Sequence, residues 1–555
     1  MNENFRHYPA LLSSGNNVST EDGGLTSNSP TNHEIVGNLG ASSGKFYYEA
    51  QIQDEGTSNA DGVGWVCLDG KGHNGTTEGG YSMFIRNNGG TVRGNTGSRS
   101  DQNAGSHENF TRGDTIGVAI DLDNRIADWY KNGIKHTFYL NFSNLSGGTL
   151  EGKPFLPFAL HRQSGKIKFN FGQRPFRFRP PEGYKTLSTN NIRTSILPKK
   201  HFGIVLYTGD NTTSRDISGL QFQPDFIWIK PRSIVSNHTV VDSVRGVHNR
   251  LIVNSTGANV NNGATVKAFY PDGFQIGNSS LLNTNGATHV AWCWKAGGNS
   301  NTFNVDGKGH STTSAAGITE GSTSLTGASV NREAGFSIVT AIAPSSGNFT
   351  IGHGLDVTPD VVISKSTGSS LYWAMYFRGA TNTNRQYIQL NSNIEVRTSG
   401  GDMWGSNIHT STLLGLSAGN AMVAGDTFVC YSWAEKPGYS KFGLYKGNGD
   451  DYDGPFEYTG FRPALVIYKN VSTNGRNWRM LDSTRDTENR TGKQLFPNLS
   501  NAESDFTTGG VEYYSNGFKI RTDSAQYNTL GDLYIYMAYA EFPLGNPFGA
   551  SANAR

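Results

Sequence analysis

Cysteine is nearly absent: three in 555 residues, too few and too scattered for a disulfide scaffold. Cys67, Cys293 and Cys430 each sit in a hydrophobic run ("VGWVCL", "VAWCWK", "FVCYSW"). None has zinc-ligand spacing, so each reads as a buried, inert thiol, in keeping with assembly in a reducing cytoplasm. Charge is scarce as well, at 17% of residues against roughly 25% in average globular chains. The formal net charge is +2 and no run of five to eight basic residues occurs, so the footprint of a nucleic-acid binder is missing. The most basic stretch, "GQRPFRFRPPEGYK", holds Arg174, Arg177 and Arg179 beside prolines. It reads as a solvated edge or interdomain contact in preference to a phosphate site. No apolar run approaches the roughly 18 residues of a membrane helix, and the opening "MNENFRHYPALLSSGNN" has no signal-peptide core. The expectation is a soluble chain without membrane insertion.

Enzyme signatures are equally thin. No G-x-S-x-G elbow, Walker loop or H-E-x-x-H helix occurs, and the 13 histidines are scattered. The reading is no catalytic residue, no metal and no cofactor. The rival is a glycan-cleaving protein whose two carboxylates come together from distant strands.

What the chain does contain is glycine (70 residues) and aromatics (11%), with 19 prolines. That composition suits many short strands joined by tight turns, and no window carries a sustained helical period. The fold class is all-β. The length allows about four domains at roughly 150 residues each.

Self-similarity organises the last two thirds. Three segments open with a short strand ("FGIVLYTGDN", "FSIVTAIAPS", "FGLYKGNGDD") and reach a Gly-then-Pro turn at Gly219/Pro224, Gly354/Pro359 and Gly460/Pro463. An apolar strand ending in Lys230, Lys365 or Lys469 follows, then an arginine near a turn: Arg245, Arg378, Arg485. The final strand is aromatic, with Trp294, Trp433 and Tyr539 in matching places, 70, 74 and 76 residues after the proline. "PDFIWIK" and "PALVIYK" are β-branched and aromatic, and "DGF" and "NGF" mark hairpins. Two packed sheets per repeat is the simplest architecture. The recurring arginines and aromatics are read as structural. The second repeat lacks the DGF/NGF turn and carries "MWGSNI" instead.

Near the N-terminus, "VAIDLDNRIADWYKNG" invites comparison with a calcium loop, but Arg125 and Ile126 fill positions that such a loop cannot give up. Two alternating runs about Asp123–Arg125 make it a β-hairpin, with Asn132-Gly133 as the next turn. Together with "GKFYYEAQI", "GVGWV", "PFLPFAL" and "FNFGQRPF", this stretch resembles a SPRY domain over roughly residues 1–185. The resemblance implies a bent antiparallel β-sandwich, without catalytic activity, that binds partners through its loops. Candidate contact residues are Asn87, Asn88, Arg93 and Arg99 in the glycine-rich loop, with His161 and Arg162 at a loop after a core strand.

The repeats, in "GLQFQPDFIWIK", "NTNGATHVAWCWKAGG", "GYSKFGLYKGNGDDYDGPFEYTGFRPALVIYK" and the closing "NAR", resemble virion proteins of marine tailed bacteriophages. The resulting organisation is a SPRY-like domain at 1–188, a linker at 189–200, and β-sandwich repeats at 201–298, 334–437 and 438–545. A Gly/Ser/Thr-rich linker at 299–333 and a tail at 546–555 complete it, with the modules in series. The resemblance implies a virion structural protein, a tail fibre or appendage whose loops bind host-surface glycan or protein. Its partners would be other virion proteins and copies of itself, a trimer among them. A capsid decoration or tail connector protein is the alternative.

Overall fold

The computed structural model describes residues 11–543 apart from 13–18, 22–24, 30–32, 38, 56–60, 68–80, 90, 96–107, 143–153, 162–164, 189–190, 192–195, 407 and 507–509. The SPRY-like part is two sheets face to face, antiparallel except where Lys185–Thr186 pairs with Lys45–Glu55 in parallel. One is ordered Leu11–Leu12, His33–Gly37, Phe155–His161, Gly62–Cys67, Tyr81–Arg86, Thr91–Asn95. The other runs Ile134–Asn141, Ile126–Lys131, Thr115–Asp121, Lys45–Glu55, Gly165–Asn170, Thr26–Ser29, Ser19–Glu21. Alternation sends Tyr48, Ala50 and Ile52 into the core with Trp65, Phe84, Trp129 and Phe158. Trp129 donates Nε1–H to Val63 O at 3.1 Å, and Tyr48 donates its hydroxyl to Gly64 O, so polar tips of core aromatics stitch the two sheets. Only glycine fits at position 64, because a Cβ there would lie 1.9 Å from Met83 O. Thr115–Asp121 and Ile126–Lys131 pair as a hairpin, closed where Arg125 takes a φ of 56°.

The repeats share one strand order: opening strand, aromatic closing strand, Gly/Pro strand, fourth strand. In the first repeat these are Phe202–Thr208, Thr288–Trp294, Phe226–Pro231 and Thr239–Asp242; in the third, Ser440–Lys446, Leu533–Pro543, Phe461–Asn470 and Arg479–Asp482. The second uses Phe336–Ile342, Thr427–Trp433, Val361–Ser366 and Ala374–Phe377 inside a nine-stranded sheet. A smaller sheet covers the outer face of each. It has three strands in the first and third repeats but two in the second, where Met403 and Trp404 of "MWGSNI" fill the core instead.

The modules are not in series, which corrects the sequence-based expectation. The inner faces of all three large sheets converge on one core: Trp228, Trp292 and Trp294; Trp373, Tyr431 and Trp433; Trp478, Met537 and Tyr539. The arrangement is a cyclic pseudo-trimer within one chain. Trp373 of the second repeat donates Nε1–H to Ile252 O of the first at 3.1 Å, and Trp478 of the third donates to Gln389 O of the second at 2.9 Å. The matching residue of the first repeat, one before its fourth strand, is His238, which lies against the backbone of Phe496 in the third. The ring therefore closes. Sequence periodicity shows which residues alternate but not that one alternate set meets two other repeats. The axial cavity is about 20 Å³ and walled by Phe226, Trp294, Tyr431, Trp433 and Tyr539, too small and apolar for a ligand.

Residues 299–333 are not a linker. Phe303–Val305 and Lys308–His310 form a hairpin across Asp306 and Gly307, both at positive φ, and Leu325–Asn331 pairs with Phe336–Ile342. Phe303, Val305, Ala328 and Val330 bury in the second repeat, so apolar alternation within the polar composition decides the outcome. The SPRY-like domain docks on the third repeat, the most distant in sequence. Tyr458 enters its core, donating to Gly40 O at 3.1 Å and accepting from Gly40 N at 3.2 Å.

Candidate functional site

The outward residues of the second SPRY-like sheet floor a polar cleft. Glu49 and Gln51 come from Lys45–Glu55, Thr115 from Thr115–Asp121, and Lys168 and Asn170 from Gly165–Asn170. Their side chains face away from the core because Ala50, Ile52, Ile116, Ile167 and Phe169 occupy the alternate, buried positions. The segment after Asn170 folds back across the sheet and supplies the rim, Arg174, Pro175 and Arg177. Its anchor is Glu49, 3% exposed, whose carboxylate accepts from the amides of Arg177 (2.9 Å) and Phe178 (2.8 Å). Phe176 packs edge-on against Tyr47 at 5.0 Å, and burial together with the Glu49 charge pushes the Tyr47 phenol well up. Asn170 Nδ2 donates to Pro175 O at 3.2 Å and Arg177 Nη1 to Thr115 Oγ1 at 3.3 Å. The cleft is open to solvent on one side and holds about 140 Å³.

The loop residues expected from sequence scatter. Asn87 is buried, 4% exposed, its backbone N–H bonded to Asp61 O, so it belongs to the fold and not to a contact surface. His161 does not lie at a solvated loop: it ends a core strand, fully buried, with Nε2 2.7 Å from Ser27 Oγ. Strand pairing with His33 continues through position 161, one residue beyond the expected turn. Asn88 is exposed, and Arg93 lies on the edge strand Thr91–Asn95. Arg99 and Arg162, like the tail at 546–555, lie outside the described residues.

Among the repeat positions, Trp294, Trp433 and Tyr539 share one register, opposite Phe226, Val361 and Leu465. Arg245 and Arg485 match too. Arg245 Nε meets Asp242 at 2.6 Å, and Arg485 Nε meets Asp482 at 2.5 Å with Nη1 on Glu503 at 2.7 Å. Glu503 also grips Arg232 of the first repeat through two bonds. Burial alone would raise the Glu503 carboxyl, but Arg232 and Arg485 outweigh it and hold it below the usual range. Arg378 is a correction. It follows its fourth strand directly, in register with Ser243 and Ser483, and pairs with Asp360 at 3.1 Å. Phe377 occupies the place of Asp242 and Asp482, so the second repeat has no acid for an arginine three residues on.

Sequence reading set Arg174 and Arg177 aside as a solvated edge. It missed the cleft because Glu49, which ties down the rim, stands 128 residues away. Tyr458 left no signal, as an aromatic in a short strand looks like any core residue.

Residues 197–543 match the family described as Domain of unknown function (DUF7483), and residues 45–174 match the SPRY domain. The ATP-dependent RNA helicase DDX1 of Xenopus laevis is 32% identical over 158 residues, 28% of this chain and 19% of the helicase. The Drosophila melanogaster helicase Ddx1 is 30% identical over 141 residues, 25% of this chain and 17% of that protein. The chain thus matches less than a fifth of these curated relatives. Among solved structures, the SPRY domain of human HERC1 is 16% identical and covers 28% of this chain and 94% of its own, with a TM-score of 0.21. With residues 197–543, more than half its length, matched by that family's model, the chain belongs to the DUF7483 family and carries a SPRY domain ahead of the family region.

Proposed function

We propose that the protein is a non-catalytic binding component of a bacteriophage virion, a tail fibre or appendage that meets the host surface through its SPRY domain. The observation that carries the reading is the mounting of that domain: Tyr458 plugs its core onto the third repeat, so the recognition module is held at a fixed orientation on a rigid body. A rigidly presented β-sandwich loses little freedom on binding, and many copies on one particle add avidity. The likeness of the repeats to virion proteins of marine tailed bacteriophages supplies the setting. Host-surface glycan or protein is the partner class, alongside other virion proteins. A second reading, a decoration or connector protein, draws on the internal pseudo-threefold, which would seat one chain on a threefold position of a larger lattice. Antibody labelling of intact virions against the SPRY region, viewed by electron microscopy, separates the two. Label at appendage tips supports adhesion; label over the capsid or at the tail base overturns it in favour of the second reading.

A further inference from the structure

The cleft on the SPRY sheet has its acceptors occupied and its donors left over. Glu49 is its one acid, and that carboxylate is taken by the amides of Arg177 and Phe178. Asn170 Oδ1 accepts from Gly172 N, and Gln51 Oε1 accepts from Gln53 Nε2 at 3.0 Å. Against these stand the guanidinium groups of Arg174 and Arg177, both exposed at the rim, the Gln51 amide N–H groups and the Lys168 ammonium. Three cations and one committed carboxylate leave the pocket cationic. Pro175 adds an apolar wall, and about 140 Å³ is room for one sugar ring but not for a folded peptide segment.

We propose that this cleft binds a carboxylate-bearing sugar, a uronic acid residue, with Arg174 and Arg177 on the carboxylate and Gln51 and Asn170 on ring hydroxyls. A guanidinium fork matches a planar carboxylate with two parallel bonds, which a neutral sugar cannot offer. The site is separate from the loops at 87–109, and it stands whether or not the protein is carried on a virion. Its assay and the virion labelling therefore fail independently.

The test is calorimetric titration of the full chain with glucuronate, glucose and inorganic phosphate. Glucuronate is expected to bind, glucose at least about tenfold more weakly, and R174A and R177A each to weaken glucuronate by about tenfold. Arg174 is an exposed rim residue, so R174A should melt as the parent does; R174K, which keeps the charge and loses the fork, gives the same readout if it does not. No heat with glucuronate, phosphate binding as tightly as glucuronate, or unchanged glucuronate affinity in both variants would each overturn the proposal.

Discussion

Tyr431 donates its hydroxyl proton to Asp242 at 2.7 Å, across the boundary between the second and first repeats and 189 residues apart in the chain. The same carboxylate holds Arg245, and all three groups are buried. In the third repeat Asp482 plays the same part, accepting from Trp292 of the first at 3.0 Å and pairing with Arg485. At the remaining boundary acid and donor are replaced together, with Phe377 of the second repeat in the acid's place and Met537 of the third at the donor's register, both in the shared core. A polar bridge gives way to an apolar contact without stranding either partner.

Tyr431→Phe should lower stability by about 1.5–3 kcal/mol, the range for a hydrogen bond to a charged group. Asp242→Ala should cost more, about 3–5 kcal/mol, because it leaves Arg245 buried and unpaired. The double variant should fall short of the sum, since both changes remove the same bond. Denaturant midpoints measure all three; an additive result would show that the two groups act separately.

Tyr458→Ala should free the SPRY domain while leaving the repeats folded. The variant loses a buried aromatic and both bonds to Gly40, an effect of about 3–5 kcal/mol. Limited proteolysis should release a fragment ending near residue 190, and calorimetry should resolve a second transition. Parent-like cleavage would mean that other contacts hold the domain.

His353 is held to a pKa of about 4 by burial, and His201 and His289 likewise, while His409 is pushed to about 3. An unfolded histidine takes up a proton near 6.5, so between 6.5 and 4 the unfolded state binds more protons and stability falls as pH drops. Asp225, raised to about 6 by burial, opposes this between 6 and 3.8, and Glu457, also raised by burial, acts in the same sense as Asp225. A single variant isolates the histidine contribution. His353→Gln should reduce the slope of stability against pH near pH 5 by roughly 1 kcal/mol per pH unit, as read from urea midpoints. An unchanged slope would mean His353 titrates alike in both states.

Burial pushes the Cys293 and Cys430 thiols well up, and Cys67 is buried as well. Thiol reagents should leave the native chain unlabelled and modify three cysteines in denaturant. Fast labelling of the native protein would place one of these strands at a mobile edge.

The repeats were legible because their Gly/Pro turns and closing aromatics recur at near-constant spacing, and the register of Trp294, Trp433 and Tyr539 follows that spacing. Their convergence was not. In "HVAWCWK" the alternation separates Trp292 and Trp294 from Ala291 and Cys293, yet says nothing of which set meets the repeat's own small sheet and which the other repeats. Arg378 misled because its nearness to a turn mimics Arg245, while the residue that decides the match, Phe377, is apolar. In the SPRY domain the core strands were readable and the cleft was not, since its rim and its floor join through a bond between distant residues.

Ring closure separates this body from an open repeat array, in which each unit leans only on its neighbours and folding can spread from either end. Here the first repeat leans on the last: Arg232 grips Glu503, and Phe202 stacks on Tyr539 at 5.2 Å. During synthesis the aromatic surface that the first two repeats turn toward the third, Phe202 and Trp294 among it, therefore stays uncovered until the final strand, Leu533–Pro543, leaves the ribosome. A message cut short by even that one strand would yield a sticky intermediate in place of a smaller working protein. Lengthening by duplication is equally barred, because a fourth repeat would find no open seat.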